Sequence, residues 1–139
     1  IYRLQGGIDW TDKDIQKPKD IPEREQKMLA AFDIYINYIK DPKDDELVGM
    51  KFLKANIYRR YNHFDKAIPL FNEILDKHRE HETAEYAANL LLDTYNRTQQ
   101  YDQMLALADK LGGDAKFLEG KDDLKQTLVT ITAAPDTRT

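Results

Sequence analysis

The segment Tyr58-Arg-Arg-Tyr-Asn-His-Phe64-Asp65-Lys66-Ala67-Ile68 returns, loosened, as Tyr95-Asn-Arg-Thr-Gln-Gln-Tyr101-Asp102-Gln103-Met104-Leu105, with every paired position 37 residues apart. Self-similarity at a period of roughly 20 to 50 residues marks a chain of stacked supersecondary units, each too small to bury its own apolar face. Chains of that build usually bind other molecules and do no chemistry on them. The repeat therefore constrains the mode of action before any single residue is considered.

The chain has 139 residues, enough for one domain with a sizeable core. It opens on Ile1 and not on methionine, which leads us to expect a piece of a longer protein, with any targeting signal or anchor outside it. There is no cysteine, so disulfides, thiolate nucleophiles and thiolate metal ligands are excluded. Cytoplasm and bacterial periplasm fit that composition equally, and localisation stays open. The net charge is −4, and the acidic excess lies in the second half of the chain, with no basic stripe. Nucleic acid is not an expected partner, because phosphate-backbone affinity rests on clustered Lys and Arg. No run of 18 apolar residues occurs, so no membrane span is expected within these residues.

Residues 1–22 read as an N-terminal extension, mostly loop, with one short helix after Asp9 and with Trp10 plugging an exposed end of the helical stack. From Glu23 to Lys40 the residues Met28, Leu29, Phe32, Tyr35, Ile36 and Ile39 recur at helical spacing. Pro22 starts this helix and Asp41-Pro42 stops it, since a residue before proline is pushed out of the helical region. A second helix runs from about Glu46 to Tyr61, capped by Asp44 or Asp45, with Leu47, Met50, Leu53, Ile57 and Tyr61 inward. The third, from about Asp65 to Arg79, buries Ala67, Leu70, Phe71, Ile74 and Leu75, and Pro69 loosens its first turns. The fourth, about Glu82 to Arg97, buries Tyr86, Ala87, Leu90, Leu91 and Tyr95. The fifth, about Tyr101 to Leu111, buries Met104, Leu105, Leu107 and Ala108 before Gly112-Gly113 ends it. In residues 112–132 Asp114 caps a short helix through Phe117 and Leu118, and Leu124, Leu128 and Ile131 mark a last capping helix against the β-branched run 129–132. Residues 133–139 read as a tail.

A helix, a short turn and a second helix repeated along the chain describe an all-α fold of antiparallel hairpins. At this point the residues resemble the tetratricopeptide repeat family, whose unit places a small residue and a tyrosine on its first helix and an aromatic-Asp-x-Ala entry on its second. Ala55, Tyr58, Phe64, Asp65, Ala67 and Phe71 fit that pattern. The second copy keeps Tyr95, Tyr101 and Asp102 but puts Leu92 and Met104 where the small pair belongs, and the Trp-x-x-Leu-Gly opening is absent from both. Ala30, at the repeat offset from Ala67, makes the first helix the second half of an earlier unit. The resemblance implies a right-handed α-solenoid over residues 23–111.

In that family the first helices of successive hairpins line a concave groove where partner peptides lie. The resemblance carries this role to Phe52, Asn56, Arg59 and Arg60 of one hairpin and to Tyr86, Asn89, Asp93, Asn96 and Arg97 of the next. Asn side chains can pair with a peptide backbone, the three Arg with a carboxylate, and Phe52 or Tyr86 with an apolar side chain. The family's carboxylate clamp is matched only at Asn56 and is not expected. The opposing reading makes all nine a solvated helix face.

Other chemistry finds little support. His78-Arg-Glu-His81-Glu82 brings two histidines three apart, but with no third strong ligand nearby it reads as a solvated charged turn, and His63 as a polar turn residue. No phosphate loop, nucleophile elbow or His-Glu-x-x-His pattern occurs, so neither catalysis nor cofactor is expected. The expected function is a non-catalytic scaffold binding a protein or peptide in a larger, bacterial assembly. The competing expectation is a purely architectural segment that stacks on further repeats or self-associates with an empty groove.

Overall fold

A computed structural model gives the structure and describes residues 17–133. Those residues are all-helical, with no strand among them. In chain order the helices are α1 (Glu23–Tyr38), α2 (Asp45–Arg60), α3 (Phe64–Lys77), α4 (Thr83–Arg97), α5 (Tyr101–Gly112), α6 (Ala115–Leu118) and α7 (Asp122–Ala133). The expected roles of Trp10, of the helix after Asp9 and of the tail from 134 onward fall outside the described residues. The last helix runs through the β-branched stretch to Ala133, so packing of Leu124, Leu128 and Ile131 overrides local propensity there.

The chain divides into two compact units, one spanning Lys17–Ala88 and the other containing residues 89–133 of the described part. In the first unit α2 packs against both α1 and α3. Asp44 caps α2, its carboxylate accepting the Leu47 N–H at 3.0 Å. Ala55 and Ala67 are both 0 % exposed, and Phe71 and Ile74 of α3 are equally buried. A side chain the size of Phe71 or Ile74 withdrawn from water is worth about 1.5–3 kcal/mol. α3 continues through Pro69, because one lost backbone hydrogen bond is outweighed by that burial. Tyr35 of α1 donates to Glu46 at 2.7 Å, and Lys54 pairs with Asp33 at 2.6 Å, tying α1 to α2. The Glu46 hydrogen bond pushes the Tyr35 hydroxyl up to about 12.

In the second unit α5 packs on α7, and α6 touches both. Asp114 caps α6 by accepting the Phe117 N–H at 3.1 Å, as its position before that run leads one to expect. Met104, Leu107, Ala108 and Leu111 of α5 and Leu124, Leu128 and Ile131 of α7 form the core.

The repeat is visible in the backbone. After α2, the His63 N–H donates to the Tyr58 carbonyl at 2.8 Å and the Asn62 N–H to Arg59 at 3.1 Å; after α4, Gln100 donates to Tyr95 at 2.8 Å and Gln99 to Asn96 at 3.2 Å. Each bond of the first turn has its counterpart 37 residues on, and the paired bonds close a helix by the six-to-one and five-to-two pattern that needs a left-handed residue. The loop before α2 repeats too: Asp44 donates to Asp41 at 3.1 Å, as His81 does to His78 at 3.0 Å.

Three residues expected to face inward do not. Leu53 is 46 % exposed, Tyr86 60 % and Met28 36 %. On α2 the buried side is rotated from the bulky stripe toward Val48 and Ala55, because close approach at a small residue, not side-chain size, sets which face meets α3.

Candidate functional site

Phe52, Asn56 and Arg59 follow one another at spacings of four and three, which sets them along one side of α2. Phe52 lies edge-on to Phe71 at 6.1 Å and meets the Tyr86 ring of α4 at 6.3 Å, so the structure brings together two of the residues assigned to the groove. Phe71 anchors this pair from the core, while Tyr86 remains open to solvent. Arg59 donates through Nε to the Asn56 side-chain oxygen at 2.9 Å, which ties the two side chains together on α2. Arg60 departs from the set. It reaches Glu25 of α1 at 4.0 Å and lies over the Tyr61 ring at 5.7 Å.

Along α4, Tyr86, Asn89, Asp93, Asn96 and Arg97 share one helical stripe. Arg97 pairs with Asp93 at 3.0 Å, both largely shielded from water. Asn96 is only 3 % exposed, and its side-chain oxygen has no hydrogen-bond partner among the described residues. A buried acceptor left without a donor is rare in folded proteins. Asn96 is therefore a wall residue, whereas Asn89 is exposed.

The histidine-bearing turn differs from the solvated segment its charge suggests. His78 is 2 % exposed, and Lys51 of α2 donates to its Nε2 at 3.0 Å while forming an ion pair with Glu73 at 2.6 Å. Burial, then the Lys51 charge, holds the imidazole below its ordinary range and keeps it neutral. His81 instead receives the Thr83 N–H on Nδ1 at 3.1 Å, so its Nε2–H donates to Asp45 at 2.6 Å. These bonds pin the loop to the start of α2. No signal in the sequence marks Lys51 as the partner of a histidine 27 residues away. Among the described residues, no three or more His, Asp or Glu side chains converge as metal ligands would. His63 donates from Nε2 to the Lys19 carbonyl at 2.7 Å and thus holds the segment before α1.

Two hollows remain. One of about 340 Å³ is bordered by Pro42, Lys43, Val48, His78, Glu80 and His81, and one of about 520 Å³ lies among α5, α6 and α7, lined mainly by Ala108, Gly112, Leu118, Leu128 and Val129. The first is bordered by the His78–His81 segment singled out in the sequence, whereas no motif marked the second. No helix among the described residues is long and apolar enough to cross a membrane. No family model, no curated protein and no solved structure matches the chain.

Proposed function

We propose that the chain is a non-catalytic scaffold that holds an extended segment of a partner protein against the side of α2 and α4 carrying Phe52, Asn56, Arg59 and Tyr86. The observation that carries this reading is the solvent-open Tyr86 ring set against Phe52 beside the fixed Asn56–Arg59 pair. Rigid aromatic surface next to an oriented amide and a guanidinium suits a peptide offering an apolar side chain, backbone carbonyls and a carboxylate. The turns recurring at 37 residues support reading the chain as repeated, tetratricopeptide-like hairpins; a right-handed solenoid within a larger bacterial assembly is the wider form of the same proposal.

The test places a photo-crosslinking phenylalanine analogue at position 86 and irradiates the protein in lysate of its source cells. Discrete adducts that disappear with Arg59→Glu are expected. Adducts that are as abundant from a probe at the exposed Val129, or none at all, would refute a site here.

A further inference from the structure

α1 is covered on one side only. Leu29 is its one buried residue, on the side packed against α2, while on the opposite side Lys27, Ala31, Ile34 and Tyr38 succeed one another at spacings of four, three and four. Ala31 is exposed, Ile34 is 72 % and Tyr38 78 % exposed. That spacing is the seam of a two-helix coiled coil, and here it has no helix on it among the described residues.

The 37-residue register says what kind of object covers such a face. It sets Ala30, Ile34 and Tyr38 at the places of Ala67, Phe71 and Leu75. On α3, which packs against α2, those three are 0, 0 and 2 % exposed. The equivalent face is thus closed by an α-helix lying alongside. The stripe on α1 is also complementary to itself when reversed. In an antiparallel pair, Ile34 of one copy falls on Ala31 of the other, and Tyr38 falls beside Lys27. Large meets small at the centre, and a cation meets an aromatic ring at each end. Among the described residues Lys27 is held by an exposed pair with Glu23 at 3.4 Å, which is worth little and is easily exchanged.

We propose that a second copy of this chain covers α1, forming a two-fold antiparallel α1–α1 pair centred between Ala31 and Ile34. This surface is separate from the one assigned to the partner segment and does not depend on it. One helix pair buries less than the roughly 1,200 Å² of a standard complex, so the dimer is weak and rapidly exchanging.

Sedimentation velocity on the full chain, from about 10 µM to about 1 mM, reads the association directly. A concentration-dependent dimer is expected, weakened at least tenfold by Ile34→Lys and unchanged by Val129→Lys on α7. Both side chains are exposed, so neither variant threatens folding. Because the chain has no cysteine, oxidising a mixture of Ala31→Cys and Ile34→Cys chains tests the register: the crossed disulfide should exceed its statistical half. A monomer at every concentration, a dimer indifferent to Ile34→Lys, or a statistical mixture of disulfides would each overturn the proposal.

Discussion

Asn62 and Gln99, 37 residues apart, both adopt left-handed backbone conformation, with φ of 63° and 59°, at the same place in the same hydrogen-bonded turn. Asparagine tolerates that conformation, whereas for glutamine it is a strain of about 1 kcal/mol or more. Gln99 is exposed, so its side chain gives little in return. We expect Gln99→Gly to stabilise the protein by about 0.5–1 kcal/mol in urea denaturation. Asn62→Ala should cost about 1–2 kcal/mol, since it adds the strain and removes the Asn62 donation to the Lys17 carbonyl at 3.1 Å. A destabilised Gln99→Gly would mean that the turn is not strained.

Ala67 has no exposed surface and, with Ala55, is one of the two small buried residues of the α2–α3 pair. Ala67→Leu adds three carbons where the interior is already full, and about 1–3 kcal/mol should be lost through overpacking. The same substitution at the exposed Ala30, its counterpart on α1, should change stability by less than about 0.5 kcal/mol. Equal effects at both places would contradict the difference in packing.

Acid should weaken the fold through His78. Burial, and then Lys51, lower its proton affinity below the usual value of 6.5, so the unfolded chain binds the proton better. Its contribution is complete above about pH 6.5 and declines as pH falls through that value toward the folded one. Burial alone would raise the Glu73 carboxyl, but the Lys51 hydrogen bond and charge, helped by Lys77 and His78, outweigh it and hold it below 4.5. Glu73 therefore contributes above that value and is lost only at lower pH. Between pH 7.5 and 5.5 the urea midpoint should fall, and His78→Gln, which keeps an acceptor for Lys51, should remove much of the slope. An unchanged slope would show that His78 is not its source.

Asp44 satisfies one of the free N–H groups at the start of α2. Asp44→Ala should cost about 1 kcal/mol, whereas Asp44→Asn, retaining an acceptor, should recover most of it. Thermal melts of the two variants compare them, and equal losses would mean that the cap contributes nothing.

Much of the helical layout was legible because local chemistry marks it. Pro22, Asp44 and Asp114 stand at helix starts, Gly112-Gly113 at an end, and the spacing of Ala67, Phe71 and Ile74 already names the inner side of α3. The candidate site was legible in part. Phe52 and Tyr86 do meet, yet Arg60 turns to Glu25 and Asn96 is enclosed, since a side chain's direction depends on neighbours remote in sequence.

What the sequence determined by itself is the set of helices and their 37-residue echo, because caps, prolines and apolar period act within a few residues. Tertiary structure alone decided that Val48 goes inside while Leu53 stays out, that His78 is buried against Lys51, and that Ile34 and Tyr38 stand uncovered. Those outcomes depend on which face of a helix another helix reaches, and that is set by the closest approach of two backbones, a distance between residues that no local pattern encodes.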